Sequence, residues 1–334
     1  MKVSLMYGGL EKMTGKTAVL LEPGRFEIQQ REIEIEEDEV LVKVASCGLC
    51  NWEKGFFTGV LEGAPCTLGH EWAGIVEECG TKVTRLKVGD HVAVFPDRLS
   101  GFAQYAAVKE DGCFLLEPSV NIYEGFAEPV KCVTTVLRSA APEAGDYGVV
   151  LGCGPMGLWC IQALAGKLLA GLIAIDIDDG KLQAAAGYGA THRINSAKEN
   201  AEEKIRNITG GHMADFVIEG TGIPSMVSFG STLLRKGRGR MVLMSYYESN
   251  VENYDFRPLA DKGAIVLNPQ PSFSEDGRED TRRAVALINN GTFDQKEIIT
   301  HRFALDEIQS AFEALVHKPE GYIKGIVICN EDMA

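Results

Sequence analysis

The sequence has no long uninterrupted apolar run, and this absence argues against a membrane-spanning helix. Its longest apolar stretch, VVLGCGPMGLWCIQALAGKLLAGLIAIDI, is interrupted by Lys167 and by several glycines. We therefore predict that it folds as a strand, a turn, a helix and a second strand. Residues 1–24 also lack an apolar run before a small-residue cleavage site, so no signal peptide is predicted.

Positive charge is scarce: 33 Lys and Arg residues stand against 47 Asp and Glu residues, which gives a net charge of −14. An acidic surface repels phosphate backbones and anionic lipid, so neither a nucleic acid nor a membrane surface is expected as a partner. The charge balance does not identify a substrate.

A second Cys-x-x-Cys pair is missing. Cys47 and Cys50 form the single pair in the sequence, so a four-cysteine zinc knot is excluded by count. A thioredoxin-like redox pair is an alternative, but the βαβ pattern expected of one does not surround these residues. Nine cysteines are scattered along a chain with no predicted export signal. This usage predicts reduced thiols in the cytoplasm, with one or two of them available as metal ligands.

The composition that remains is that of a globular protein of about two domains, with 334 residues, 45% hydrophobic and 24% charged. Residues 17–45 and 72–115 alternate apolar and polar positions, which predicts antiparallel strands with one solvated face. From residue 147 onward, buried strands alternate with helical segments. This pattern predicts an α/β fold with a parallel, doubly wound sheet.

The segment VVLGCGPMG has the G-x-G-x-x-G spacing between a predicted strand and a predicted helix. Gly152 permits a tight turn, Gly154 lets the backbone approach a pyrophosphate, and Gly157 lets the helix pack closely. Asp176 follows Gly157 by 19 residues, where a carboxylate accepts hydrogen bonds from ribose hydroxyls and repels a 2′-phosphate. We therefore predict NAD rather than NADP. The predicted cofactor-binding residues are Gly152, Gly154, Pro155, Met156, Gly157, Asp176, Lys181, Gly220 and Thr221.

A second candidate site begins with His70 and Glu71, adjacent in CTLGHEWAGIVEECG. Together with Cys50 they offer a thiolate, an imidazole and a carboxylate, which is the ligand pattern of a catalytic zinc with an open position. The carboxylate is either Glu71 or Glu128, and the residues alone do not decide between them. The alternative is an ordinary strand entry, with His70 satisfied by a neighbour and Glu71 in solvent.

With these motifs the sequence resembles the zinc-dependent medium-chain alcohol dehydrogenases, and among them the polyol and threonine dehydrogenase branch. The residues that match the family's zinc signature are Gly69, His70, Glu71, Gly74, Gly80 and Val83. CGLCNWE stands where the family has Cys-Gly-x-Cys-Gly-Ser/Thr-Asp, which implies Cys50 as the first ligand. AEPV stands where polyol members have Glu-Pro, which implies Glu128 as the third ligand or as the acid that holds the metal-bound water.

The resemblance implies a GroES-like, β-rich catalytic domain made of residues 1–124 and 269–334. It also implies a Rossmann NAD-binding domain at residues 125–268. The implied activity is hydride transfer between NAD and a secondary alcohol on a polyol, cyclitol or sugar-like molecule. The implied assembly is a homodimer or homotetramer, commonly through the edge of the Rossmann sheet, where GAIVLNPQ is a candidate strand.

Two departures from the family bear on the chemistry. The four-cysteine lobe is missing, because FPDRLSGFAQYAAV runs directly across its place, so one catalytic zinc and no structural zinc are expected. Trp52 stands where the family has the Ser or Thr hydroxyl that relays the proton, and an indole has no useful acceptor. Trp52 is therefore predicted to line the substrate pocket, and Glu53, Glu128 or metal-bound water to handle the proton. Reduction of an activated double bond, or NAD(H) sensing without catalysis, is the alternative.

Overall fold

The structure, a computed structural model, describes residues 13–95, 97–247 and 254–333. The prediction that no signal peptide is present concerns residues 1–24, of which 1–12 lie outside this range. Within the described residues, no helix combines the length and apolarity needed to cross a bilayer.

Strands predominate up to Leu115, and from Glu128 onward strands alternate with helices. The strands are β1 (Met13–Glu22), β2 (Arg25–Ile33), β3 (Glu39–Gly48), β4 (Cys66–Thr67), β5 (Trp72–Cys79), β6 (His91–Val94), β7 (Tyr105–Lys109), β8 (Cys113–Leu115), β9 (Tyr147–Leu151), β10 (Gly171–Asp176), β11 (His192–Asn195), β12 (Phe216–Glu219), β13 (Arg240–Leu243), β14 (Ile265–Leu267), β15 (Ile299–Ala304) and β16 (Lys324–Ile328). The helices are α1 (Asn51–Thr58), α2 (Glu128–Ala140), α3 (Pro155–Leu164), α4 (Asp179–Gly187), α5 (Ala201–Ile208), α6 (Ser225–Leu233), α7 (Arg257–Lys262), α8 (Gly277–Asn289) and α9 (Ile308–His317).

The chain forms two compact units. The first contains the chain through Phe126, Arg302–His317 and the residues from Ile326 onward, and the second contains Ala127–His301 and Lys318–Gly325. The predicted domain boundaries fell at 124/125 and 268/269.

The first unit is built on antiparallel sheets. One has the order β2-β1-β4, and the other has the order β15-β16-β3-β5-β6-β8, with β7 also paired to β3. Strand β3 differs from the predicted strand with one solvated face, because every residue in it except Lys43 is buried. It has neighbours on both sides and is covered on both faces. The mostly acidic residues 34–38 (EIEED), part of the predicted alternation, form the connection from β2 to β3.

The antiparallel pairing of β3 and β5 positions the candidate metal ligands. Cys47 lies opposite Trp72 in this pairing, and the Gly48 amide donates to the Glu71 carbonyl at 2.7 Å. The end of β3 therefore lies beside the start of β5. Leu49 and Cys50, which connect β3 to α1, are held at the same place. Trp72 is fully buried there and anchors the start of β5 in the core.

The second unit is a parallel sheet with the order β11-β10-β9-β12-β13-β14. This confirms the predicted doubly wound sheet. The central strands β9, β10 and β12 are nearly continuous apolar runs, as expected for strands covered on both faces, and Val149, Ile173 and Val217 in them are fully buried. The strand order reverses direction between β9 and β12. Ligands of such sheets bind outside the carboxyl ends of the strands at this switch point.

Candidate active site

Three potential metal ligands converge in the first unit. One ligand atom from each of Cys50, His70 and Glu71 lies within 4.8 Å of the other two, and no other such group occurs in the part of the chain that the structure describes. Cys50 is the N-cap residue of α1, and its extended backbone turns the chain from β3 into the helix. The alternative of an ordinary strand entry with Glu71 in solvent is wrong, because Glu71 is only 2% exposed.

The glycine of the Cys-Gly-x-Cys motif makes room for the Glu71 carboxylate. A Cβ atom at Gly48 would lie 2.2 Å from Glu71 Oε2, so no larger residue fits while this carboxylate keeps its place. A buried carboxylate is costly unless it is paired or coordinates a cation. Its placement beside a thiol and an imidazole therefore favours a cation at this position.

His70 is oriented by a second buried carboxylate. Its Nδ1 atom lies 2.9 Å from Oε1 of Glu53, which is fully buried and also accepts the Gly69 amide at 2.6 Å. Metal-ligating histidines commonly use one ring nitrogen to contact a carboxylate in this way. The arrangement leaves Nε2 as the ring nitrogen for a metal ion. It also gives Glu53 a role that sequence reasoning missed, since Glu53 orients the His70 ring through Nδ1.

The electrostatics of this group also favour a cation. Burial by itself lowers the pKa of His70, but the Glu53 carboxylate and Cys50 beside the ring raise it well above its usual value. A site that draws a proton onto a buried imidazole stabilises positive charge. Zn²⁺ fits the donor set, because tetrahedral Zn–S and Zn–N bonds of about 2.3 and 2.0 Å keep two ligand atoms about 3.5 Å apart. The site residues would therefore hold zinc through Cys50 Sγ, a His70 ring nitrogen and a Glu71 oxygen.

Trp52 lies directly against this group. Its ring meets His70 edge-on with 5.5 Å between ring centroids, and it meets Phe56 edge-on at 5.1 Å. Trp52 is 40% exposed, which is high for a residue packed between two rings. Cys47, by contrast, is fully buried in β3, and burial raises the pKa of its thiol.

Glu128 is not part of the group of three. It is the first residue of α2, in the second unit. Its Oε1 atom lies 2.9 Å from Lys131 Nζ and accepts the Cys132 thiol at 3.3 Å.

The G-x-G-x-x-G segment has the tight turn predicted at Gly152 and the close packing predicted at Gly157. Gly152 has φ +95°, and a Cβ there would lie 3.0 Å from Thr221 Cγ2. A Cβ at Gly157 would lie 2.0 Å from the Gly152 carbonyl oxygen, so α3 reaches its strand only with glycine here. A Cβ at Gly154 meets nothing within 4 Å. Gly154 therefore faces open space at the start of α3, where Pro155 and Met156 form the first turn.

Asp176 lies at the end of β10 and binds this loop. Its Oδ2 atom accepts the Cys153 amide at 2.7 Å, and its Oδ1 atom accepts the amides of Ile177 and Asp178 at 2.8 and 3.0 Å. The side chain is partly exposed, and a carboxylate accepts about four hydrogen bonds in all. Asp176 therefore shapes the loop and retains capacity for a ligand hydroxyl. Lys181 lies in the next helix, α4.

Glu219 and Tyr247, at the carboxyl edge of the sheet, were not predicted from the sequence. Glu219 ends β12, and its carboxylate accepts hydrogen bonds from Thr221 and from the Tyr247 hydroxyl. The available signal was an acid at the end of the otherwise apolar strand FVIE, directly before the predicted cofactor residues Gly220 and Thr221.

Known protein families match both the part of the chain that contains the ligand group and the part that begins within the glycine-rich loop. A profile of the zinc-binding dehydrogenases matches residues 155–290, and a profile of the alcohol dehydrogenase GroES-like domain matches residues 36–118. D-xylulose reductase A of Aspergillus oryzae is 30% identical over 312 residues, which cover 82% of this chain and 85% of that protein. L-threonine 3-dehydrogenase of Bacillus subtilis is 28% identical over 322 residues, which cover 84% of this chain and 89% of that protein.

A solved structure extends the likeness to the whole fold. A zinc-binding dehydrogenase of Sinorhizobium meliloti 1021 bound to NADP superposes with a TM-score of 0.85 at 24% identity, covering 95% of this chain and 99% of that chain. At this identity the likeness supports the fold alone. From its two profiles, its curated relatives and its fold, this chain belongs to the zinc-dependent medium-chain alcohol dehydrogenases, as its motifs predicted.

Proposed function

We propose that this chain transfers a hydride between NAD and a secondary alcohol on a polyol, cyclitol or sugar-like molecule, with one catalytic zinc ion per chain. The observation that carries the proposal is the convergence of Cys50, His70 and Glu71 within 4.8 Å. In the same chain, a G-x-G-x-x-G loop opens α3 at the carboxyl edge of a parallel sheet.

Cys50, His70 and Glu71 are the proposed zinc ligands, and Glu128 remains a candidate for a further carboxylate. When bound there, zinc would supply Lewis-acid chemistry that lowers the pKa of a substrate hydroxyl. The thiolate of Cys50 and the carboxylate of Glu71 carry negative charge that tempers this acidity. Glu53 fixes the ring of His70 through the 2.9 Å contact to Nδ1, and a fixed ring keeps the ligand set in one arrangement. The missing four-cysteine lobe supports the expectation of no structural zinc.

The loop Gly152–Gly157 is the proposed pyrophosphate site. The free amides and the positive end of the α3 dipole bind phosphate charge there, and the cofactor supplies the hydride chemistry. The carboxylate of Asp176 would bind the ribose hydroxyls and repel a 2′-phosphate, which favours NAD.

The proton path differs from that of the family because Trp52 cannot accept a proton. Glu53 is fully buried and bound to Gly69 and to the ring of His70, so we assign it the orienting role. Glu128, or a water molecule at the metal, is then left to handle the proton. Trp52 is proposed to line the substrate pocket, since an exposed indole face packs well against the C–H bonds of a sugar ring.

The substrate class is supported by the names of the relatives. D-xylulose is a ketose and L-threonine carries a secondary hydroxyl, so both relatives are named for a secondary carbinol or its ketone. Reduction of an activated double bond is the second candidate, favoured by one observation, the replacement of the family's hydroxyl relay by Trp52. The third candidate, a non-catalytic NAD(H) sensor, has no use for the ligand group around His70.

The test is a screen of polyols, cyclitols, sugar acids and amino alcohols with NAD, followed by NADH absorbance, alongside a set of enones with NADH. The proposal expects turnover of a secondary alcohol that stops when zinc is removed and returns with added zinc. It also expects about one zinc per chain by elemental analysis. Enone turnover that survives zinc removal would establish the second candidate, and tight NADH binding without any turnover would establish the third.

Proposals for the assembly, the domain roles and the location complete this assignment. We propose a homodimer or homotetramer joined through β14, because β14 is an edge strand of the parallel sheet and Val266 is 45% exposed. The domain roles proposed for residues 1–124 with 269–334, and for 125–268, are catalytic and NAD-binding. The proposed location is the cytoplasm, where Cys50 stays a reduced thiol as a zinc ligand requires.

A further inference from the structure

A buried carboxylate joins two loops at the carboxyl edge of the parallel sheet. Glu219, the last residue of β12, is 0% exposed. Its Oε1 atom accepts the Thr221 amide at 2.8 Å and also the Thr221 hydroxyl, and its Oε2 atom accepts the Tyr247 hydroxyl. Thr221 belongs to the loop after β12, and Tyr247 to the segment after β13. The carboxylate therefore has three donors from two different loops.

Two further hydrogen bonds, one of them between backbone groups, bring the same two loops together. The Met244 amide donates to the Glu219 carbonyl at 3.0 Å, and the Gly222 amide donates to Ser245 Oγ at 3.0 Å. Burial and the hydrogen bond to Glu219 raise the pKa of Tyr247 above its ordinary value, so its hydroxyl remains a donor. Burying an ionised carboxylate is costly, and the cost is offset only while its donors are in place. Loss of one donor therefore weakens the whole arrangement.

The strand order indicates which part of a bound dinucleotide these loops would meet. The pyrophosphate site follows β9, and the proposed ribose ligand Asp176 ends β10, which lies on the side of β9 away from β12. A dinucleotide spans the switch point, with one mononucleotide on each side. If the adenosine half lies over β10, the nicotinamide half lies over β12 and β13. The close approach of Thr221 to Gly152 makes the loop after β12 continuous with the pyrophosphate site.

We propose that Glu219 is a positioning residue for the nicotinamide half of the cofactor. It holds the loops of Thr221 and Tyr247 as one rigid surface against which the nicotinamide ring rests. This inference depends on the proposed NAD binding. The adenosine half is held by other residues, so the two halves of the cofactor respond differently when Glu219 changes.

The test compares two ligands in the zinc-loaded protein, NADH and ADP-ribose, which lacks the nicotinamide. Both affinities are measured by calorimetry for wild type and for Glu219→Gln. Glutamine keeps the size of the side chain but replaces one carboxylate oxygen by an NH2 group. This group is a donor, and it would face the donor groups of Thr221 or Tyr247. We expect NADH affinity to fall about tenfold, the effect of one buried unsatisfied group, while ADP-ribose affinity changes less than about twofold. Asp280→Asn is the matched control, because Asp280 is a buried carboxylate of α8, bound to Arg138 and Ser274.

A second variant tests the proposal in case Glu219→Gln does not fold. Tyr247→Phe removes one hydroxyl and leaves the carboxylate with its Thr221 donors, and it should weaken NADH about threefold without affecting ADP-ribose. Equal weakening of both ligands, or no weakening of either, in the two variants overturns the positioning role while the proposed function stands. A wild-type protein that binds neither ligand overturns both proposals. The control should lose thermal stability without altering the ratio of the two affinities.

Discussion

The Nδ1 atom of His70 lies 2.9 Å from Oε1 of Glu53, a carboxylate with no exposed surface. The same oxygen accepts the Gly69 amide, so the acid is fixed in turn by the residue that precedes the histidine. A histidine held on one ring nitrogen presents the other nitrogen to a metal in a single orientation. The contact therefore couples α1 to the loop before β5 at the point where a metal ion is proposed to bind.

Replacing Glu53 by Gln is expected to weaken zinc binding about 10- to 100-fold, the usual effect of losing the acid behind a ligating histidine. Zinc affinity is measured by competition with a chromophoric chelator. Glu39→Gln is the matched control, because Glu39 is a buried carboxylate of the same unit that accepts the Glu36 amide. Unchanged affinity in Glu53→Gln would refute the orienting role.

Replacing Gly48 by Ala is expected to displace the Glu71 carboxylate, because the new Cβ would lie 2.2 Å from its Oε2 atom. Overpacking of this kind typically costs about 1–3 kcal/mol of stability. We expect a lower unfolding temperature and reduced zinc content in the purified protein. The control is Gly187→Ala in α4, where a Cβ meets nothing within 4 Å. Full zinc content in Gly48→Ala would mean that Glu71 is dispensable for metal binding.

Alanine substitutions at Gly157 and Gly154 should have different effects on stability and on NADH affinity. At Gly157 an added Cβ would lie 2.0 Å from the Gly152 carbonyl oxygen, so Gly157→Ala should lower both the unfolding temperature and NADH affinity. At Gly154 it meets no protein atom within 4 Å. Gly154→Ala should therefore leave the unfolding temperature unchanged and weaken NADH about tenfold or more, because the methyl group would meet the pyrophosphate. Undiminished NADH affinity in Gly154→Ala would place the pyrophosphate elsewhere.

Replacing Asp176 by Asn should reduce the preference for NAD over NADP. The side-chain oxygen of asparagine still accepts loop amides, but the negative charge that repels a 2′-phosphate is gone. The measurement is the ratio of kcat/KM for the two cofactors, expected to move about tenfold toward NADP. Asp179→Asn, at an exposed acid of α4 that pairs with Lys198, is the matched control. An unmoved ratio would show that another residue selects the cofactor.

The parallel sheet and its loop were predictable because their signals are local. Each strand is a short apolar run, and the glycines of the loop are separated by fixed numbers of residues, so the pattern around Gly152 specifies its own geometry. Cys50 and His70 could also be identified as candidate ligands from the local motifs that contain them. The choice between Glu71 and Glu128 was open because it depends on which carboxylate the pairing of β3 and β5 buries.

Other features carry little local signal. Helix α1 was not predicted, because NWEKGFFT is short and buries one of its three aromatic residues, Phe57. The role of Glu53 depends on a contact across 16 residues, and that of Glu219 on a contact with Tyr247 across 28 residues. Such contacts follow from the packing of elements and not from the periodicity of any one element.

The pairing of β16 with β3 has a consequence for biosynthesis. Ile326 lies opposite Gly48, and Val327 opposite Cys47, so the strand beside the ligand group receives its neighbour from a segment made nearly 280 residues later. On the ribosome, β7 can pair with residues 39–43 of β3 early, but residues 46–48 lack a partner on this edge until β16 has been made. This edge of β3, beside the ligand group, is therefore completed only after translation has passed residue 328.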